Sequence, residues 1–337
     1  MDTELLRKRA KIIHDVRSFF DSRGYLETDT PLLAPDLIPE SCLEVFQTTR
    51  LSPKGSLRAE KPYWLIPSPE IWMKRLIAQH RTDLYQICKC FRNGESSGKQ
   101  HSPEFTMLEY YTMEANYLDS LKLTEGLFTY LLEARQEAGF SASLSPPFIT
   151  LTVEEAFAKW AGFDLYKAAE SPAAMEAEAR RLGLNPPPGL STHELYDLIF
   201  IHSVEPKLKL EKPVVLMDYP AFVPCLAKKT FDGKTVERWE LYAGGLELAN
   251  CFSEETDAEI VRCFFESEKA AKEKYALVPH KVDEDYWKIF AAGQTNRKGF
   301  PKSSGVALGL DRLIMLLCGH SSIDGILPFP MDLQYCI

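Results

Sequence analysis

An α+β fold is predicted by three features of the sequence. Residues 4–23 place Ile12, Ile13, Val16, Phe19 and Phe20 at the spacing of an amphipathic helix. Two extended runs, 84–93 and 104–114, flank a polar loop from Gly94 to Pro103. Gly244-Gly245 joins two runs of alternating apolar residues, the pattern of a two-residue hairpin. With 337 residues and 45% hydrophobic content, the chain can bury one large core or two modest ones.

The first helix stops at Gly24. Tyr25 to Pro31 is then extended, because a residue preceding proline avoids the α region. Ser68-Pro69-Glu70 reads as the N-cap, N1 proline and acidic first turn of a helix continuing through Ile71, Met73, Leu76 and Ile77. Period-2 geometry puts Cys88, Cys90 and Arg92 on one face of the first strand, and Phe105, Met107, Glu109 and Tyr111 on one face of the second. From about 146 to 212, proline runs bracket alanine-rich helical sequence, expected as an insertion within a single domain covering residues 1–337. In the hairpin, Tyr242 faces Glu247, with Glu240 diagonal to Glu247 and with Trp239, Leu246 and Leu248 marking the buried face. A helical turn after it would set Asn250 and Glu254 on one face. A helix near 256–275 and a strand–helix pair at 305–318, closed by Gly319, complete the chain.

Composition removes several function classes. Lys+Arg 39 against Asp+Glu 48 gives a net charge of −9, so no overall field draws the chain to nucleic acid or anionic membrane. The 8 cysteines show no metal-site spacing and suit a reducing compartment. The N-terminus has no apolar signal segment, and no run approaches the roughly 18 apolar residues of a membrane span. A cytoplasmic location is expected.

Arg92 and Arg312 each sit at a strand end or helix start, where a guanidinium can grip phosphate in fork geometry. Glu109 lies among apolar and aromatic neighbours and is costly to bury unless paired, either with a cationic ligand or with a lysine or arginine of this chain. Glu240 and Glu247 would repel unless a cation sits between them. Mg²⁺, which takes few carboxylates plus phosphate oxygens, fits that place in an ATP site; a solvent-exposed acidic face is the alternative. The glycines of Gly305–Gly309 let the backbone lie against a nucleotide, or arise from packing alone.

The segments RAKIIHDVRSFFDSRGYLETDTPLL, SPEIWMKRL, FRN with HSPEFTMLEYY, ERWELYAGGLELAN and GVALGLDRLIMLL carry a resemblance. It is to the class II aminoacyl-tRNA synthetases, closest to their lysine branch, over most of residues 4–328. The resemblance implies an antiparallel sheet of six to seven strands flanked by helices, a homodimer built on the first helix, and adenylation of an amino acid with ATP and Mg²⁺. Carried over by position, ATP falls to Arg92, Asn93, Glu95, Phe105, Glu247, Leu248, Gly309 and Arg312, with Arg92 and Arg312 acting on the phosphates. The amino-acid pocket falls to Ser68, Pro69, Glu70, Glu109, Tyr111, Asn250, Glu254 and Ala307, and Mg²⁺ to Glu240 and Glu247. The sequence departs from the family where Gly94 follows Asn93 and the glutamate comes at Glu95. The loop to Pro103 is also longer than usual, Ser102 replaces an asparagine, and Cys251 replaces a glycine.

The helix of residues 4–23, which the resemblance makes the family's first motif, starts almost at Met1, so no anticodon-binding domain is expected before it. Such a chain resembles the ligases of this branch that attach (R)-β-lysine to a lysine side chain of elongation factor P. Ala307, where lysyl-tRNA synthetases have glycine, agrees; a pocket methyl is worth about 1–3 kcal/mol of discrimination. Elongation factor P is the expected acceptor, without tRNA. The alternative is a truncated lysyl-tRNA synthetase-like enzyme charging tRNA or another carrier with α-lysine. A non-catalytic regulatory paralogue is disfavoured by Arg92, Glu240, Glu247 and Arg312 together.

Overall fold

A computed structural model describes residues 3–52, 60–94, 98–134, 144–292 and 298–330; Glu95 and Cys336 lie outside them. In chain order the first elements are α1 (Thr3–Asp21), β1 (Leu26–Glu27), β2 (Leu33–Ala34), β3 (Gln47–Arg50), β4 (Lys61–Leu65), α2 (Glu70–His80), β5 (Leu84–Phe91) and β6 (Glu104–Met113). Then come α3 (Tyr117–Glu133), β7 (Ile149–Thr152), α4 (Val153–Ala156), α5 (Leu165–Ala168), α6 (Pro172–Arg181) and α7 (Thr192–Ile199). The chain continues through β8 (Val214–Pro220), β9 (Thr235–Ala243), β10 (Leu246–Ser253), α8 (Ala258–Tyr275), β11 (Ser303–Gly309) and α9 (Leu310–Leu317). These elements fall into two compact units, Met1–Ala115 with Glu254–Ile337, and Asn116–Ser253.

The first unit holds strands in the order β1-β5-β6-β11 and a small sheet β2-β4-β3. β5 and β6 pair antiparallel around the polar loop, and β11 pairs antiparallel with β6. β1 runs parallel to β5, which the long connection between them permits. The apolar stripe of α1 covers this sheet: Ile12, Val16, Phe19 and Phe20 are buried, and the Phe20 ring stacks on Tyr85 at 4.9 Å. β5 ends at Phe91, so Arg92 and Asn93 lie just past the strand rather than within it. The Arg92 N–H instead donates to Pro103 O at 3.0 Å, and the Asn93 N–H to Glu44 O at 2.9 Å.

One buried ion pair ties the first helix, the β6 strand and the last helix together. Arg9 Nη2 lies 2.6 Å from Asp311 Oδ1 and 3.0 Å from Thr106 Oγ1, to which it donates. Asp311 Oδ2 accepts the Thr106 backbone N–H at 2.7 Å. Both charged side chains are buried, so each needs the other to offset lost hydration.

The second unit holds strands in the order β10-β9-β8-β7. β7 and β8 are parallel, so the sheet architecture is mixed where an all-antiparallel one was expected. The helical sequence expected at about 146–212 supplies the reason: α4–α7 form the crossover that a parallel pair requires. Their core includes Phe157, Tyr196, Ile199 and Leu216. Gly244 and Gly245 adopt φ of 62° and 83°, the type I′ turn expected between β9 and β10. Glu247 faces Tyr242 as the sequence implies, but a bulge at Leu248 then shifts the register, so Asn250 rather than Ala249 faces Glu240.

Replacing Arg9 by methionine should lower the unfolding free energy by about 3–5 kcal/mol, because it strands the Asp311 carboxylate in the core. Urea unfolding measures this. A loss of only about 1 kcal/mol, as for a surface pair, would show that the three elements do not depend on this contact.

Candidate active site

Ser68 and Pro69 set the first wall. The helix proper begins at Glu70, one residue later than the sequence suggests, with Pro69 at the cap position and its carbonyl accepting from Trp72 and Met73. Ser68 Oγ accepts the Glu70 N–H at 3.0 Å and donates to Glu109 Oε1 at 2.5 Å. Tyr111 Oη donates to Glu109 Oε2 at 3.3 Å. Glu109 is 2% exposed and has no ion-pair partner among the described residues. Among the described residues no lysine or arginine pairs with it directly, and Lys74, which pairs with Glu70 and Glu254, favours its charged form only from farther away. Burial, then the Glu70 charge, push its carboxyl well above the ordinary range, and the Ser68 hydrogen bond opposes them.

A second carboxylate group adjoins it. Lys74 Nζ lies 2.6 Å from Glu70 Oε1 and 2.7 Å from Glu254 Oε2. The contact to Glu254 is a charge contact and not an aligned hydrogen bond, since that buried Oε2 has no hydrogen-bond partner among the described residues. Burial raises Glu254 to about 7 against the opposing pull of Lys74. The Tyr286 hydroxyl, also buried and without a hydrogen-bond partner among the described residues, adjoins Lys74, Glu70 and Glu254. Glu254 is placed by its N–H donating to Ser303 O at 2.9 Å, just past the end of β10. The helical turn expected there does not form: the chain stays extended to Ser253 because Phe252 still pairs with Arg238, and α8 starts only at Ala258.

β11 lines the same cluster. Gly305 stands opposite Tyr111 and Ala307 opposite Glu109. A Cβ on Gly305 would meet Glu254 Oε1 at 2.5 Å and also collide with the Tyr111 ring. This glycine thus makes room for the carboxylate pocket; no nucleotide contact is needed to explain it.

The two arginines have different settings. Arg92 Cζ lies 5.2 Å over the Phe105 ring, so these two residues, both assigned to ATP by resemblance, are neighbours. Asn93 Nδ2 donates to Val45 O at 3.3 Å, which fixes its amide on the 40–45 loop. Arg312, in the first turn of α9 behind Gly309, donates from Nε to Gln100 O at 3.2 Å. Glu40 adjoins Glu70 and Arg92; burial first, then Glu70, raise it to about 7, and Arg92 and Lys272 oppose.

In the second unit, Glu240 is buried within its own partners. Arg238 pairs with Oε1, while Oε2 accepts from Tyr219 at 2.5 Å and Tyr242 at 2.6 Å. The Glu240 carboxylate is therefore buried and not on a solvent-exposed acidic face, the alternative the sequence left, because Arg238 neutralises it there. Glu247 faces Tyr242, Leu248 is buried at the bulge, and Asn250 Oδ1 is buried without a hydrogen-bond partner among the described residues.

Lys74, Tyr286 and Glu40 are pocket residues that the sequence reading passed over, and Gly305 was read there only as a nucleotide-side or packing glycine. Lys74 was legible in principle, four residues after Glu70 on one helix. Tyr286 and Glu40 arrive from distant chain and carry no local signal.

Buried Glu109 and Glu254 with half-buried Glu70, gathered around Lys74 on a class II-like frame, fit an amino-acid-activating enzyme. The model for class II tRNA synthetases (D, K and N) matches residues 2–333, and the chain belongs to that family. Curated relatives narrow the family to one branch. The elongation factor P–(R)-beta-lysine ligase of Avibacterium paragallinarum is 34% identical over 330 residues, covering 98% of this chain and 96% of that protein. The ligase of the same name from Proteus mirabilis (strain HI4320) is 35% identical over 329 residues, covering 97% and 94%. That from Haemophilus influenzae (strain PittGG) is 34% identical over 332 residues, covering 98% and 96%. No helix among the described residues is long and apolar enough to cross a membrane.

Gly305→Ala should raise KM for the amino acid and leave KM for ATP unchanged, because the nearest atoms the added methyl meets belong to Glu254 and Tyr111. Steady-state kinetics with each substrate varied separately would show it. The raised carboxylates predict a pH effect with a definite sign. Folded Glu254 holds its proton up to about 7 against an ordinary 4.5, so its share of stability falls as pH rises between those values. A cationic ligand reverses the shift and expels the proton. Calorimetric titration with a diamino acid near neutral pH, in buffers of different ionisation enthalpy, should report net proton release; proton uptake would contradict the assignment.

Proposed function

We propose that this chain activates (R)-β-lysine with ATP and transfers it to a lysine side chain of elongation factor P. The observation that carries the reading is Glu109, buried with hydrogen bonds from Ser68 and Tyr111 but with no cation paired to it among the described residues. A ligand ammonium supplies the missing charge. Glu70, Glu254 and Ala307 complete the wall, and the names of the curated relatives point to the same substrate and acceptor. Asn250 is assigned to the amino acid by its place in the motif.

The chemistry needs no general base. The amino-acid carboxylate attacks the α-phosphorus of ATP and pyrophosphate leaves. The neutral ε-amine of the acceptor lysine then attacks the adenylate carbonyl, AMP departs, and the amine loses its proton as the amide forms. Arg92 and Arg312 hold the phosphates and stabilise the developing charge, and Phe105 supports the Arg92 guanidinium. Asn93, Glu95, Leu248 and Gly309 are assigned to the nucleotide by their place in the motifs.

The donor set of Glu240 and Glu247 fits Mg²⁺: hard oxygens, and few enough to leave room for phosphate oxygens and water. Glu240 spends three of roughly four acceptor positions on Arg238, Tyr219 and Tyr242, which fixes its orientation and leaves one for an ion. Bound there, the ion would offset phosphate charge during displacement of pyrophosphate.

Incubation with ATP, labelled (R)-β-lysine and purified elongation factor P should give labelled factor and no labelled tRNA. Labelled tRNA with unlabelled factor would establish the tRNA-charging alternative instead. Arg312→Ala should lower kcat/KM by about two to three orders of magnitude, the range for a lost charge-stabilising donor.

A further inference from the structure

The pocket carboxylates are unequal in number to the cations that serve them. Glu70, Glu109 and Glu254 are three carboxyl groups, and Lys74 is the single cation in contact with any of them among the described residues. Lys74 is 2% exposed and bridges two of the three. The other charges nearby are engaged elsewhere: Arg75 pairs with Asp283 and lies over Tyr286, while Glu40 adjoins Arg92 and Lys272. Tyr111 and Tyr286 are phenols held neutral by burial.

We propose that Lys74 is a specificity-determining residue that cancels one pocket carboxylate, leaving two negative charges that select a substrate with two ammonium groups. The inference rests on the ligase reading and deepens it, by assigning the choice of a diamino acid to a residue that need not touch the substrate. Without Lys74, three carboxyl groups crowd one site, and like-charge repulsion keeps one of them protonated at neutral pH even with a diammonium ligand bound. The pocket then loses a charge that a diammonium ligand uses. With arginine at 74 the count is kept. Removing Lys74 and Glu254 together also leaves two carboxylates, and replacing both members of a buried pair is far milder for folding than removing one.

The test is pyrophosphate exchange with (R)-β-lysine and with 3-aminohexanoic acid, its analogue lacking the terminal amine, across pH. Lys74→Met should raise KM for (R)-β-lysine about tenfold or more at pH 7, with kcat less affected, and recover as pH rises. Lys74→Arg should keep the wild-type pH profile. The double variant Lys74→Met/Glu254→Gln should prefer (R)-β-lysine over the monoamino analogue more strongly than Lys74→Met alone. If Lys74→Met does not fold, the double variant decides by itself: it keeps a clear diamino preference, or the proposal fails. A double variant worse than the single, or a pH-independent defect in Lys74→Met, would also overturn it and leave Lys74 a packing residue. Wild-type protein that supports no exchange with either lysine isomer would fail the ligase reading, which is a different outcome.

Discussion

Burying a carboxylate costs several kcal/mol in effective terms unless donors or a cation accompany it, and Glu109 is buried with donors alone. Much of the local structure follows from that constraint. Ser68 is turned inward by the start of α2, so one hydroxyl both receives the Glu70 N–H and donates to Glu109. Tyr111, two residues along the same strand, adds the second donor. Gly305 is small because Tyr111 and Glu254 occupy the space its Cβ would take. The site stays short of positive charge, which is the condition a cationic substrate satisfies.

Holding such a site requires that its walls not relax. The Arg9–Asp311 pair with Thr106 joins α1, β6 and α9, elements that carry three of the five segments of the resemblance. Lys272 plays a similar part for the 40–45 loop, donating from α8 to the carbonyls of Glu40 and Leu43. Asn93 holds the other side of that loop through Val45 and Glu44. The arginine beside Asn93 is thereby fixed relative to the 40–45 loop, before any ligand arrives.

The α1 stripe, the 244–245 turn, the β5–β6 pair and the 303–317 strand–helix unit were all readable, since each rests on local periodicity or turn chemistry. Glu109 was singled out correctly as a carboxylate in need of a partner, but alternation could not say whether the chain supplied one. The parallel edge strands β1 and β7 are too short to announce themselves, and their pairing depends on distant residues. The bulge at Leu248 shifts the register past the Tyr242–Glu247 pair, and alternation alone carries no sign of it. Arg238 beside Glu240 was visible in the sequence as a neighbour two positions away. Its consequence, a neutralised and buried carboxylate, depended on Tyr219 arriving from another strand.

The most direct measurement is ATP–pyrophosphate exchange by the full chain with (R)-β-lysine and α-lysine side by side, in the absence of any acceptor. The account predicts exchange dependent on the diamino acid, with (R)-β-lysine the better substrate because Ala307 crowds the position of an α-amine opposite Glu109. Exchange that prefers α-lysine would move the substrate while leaving the charge logic of the pocket intact. Exchange with neither would contradict the claim that Glu109 awaits a substrate ammonium.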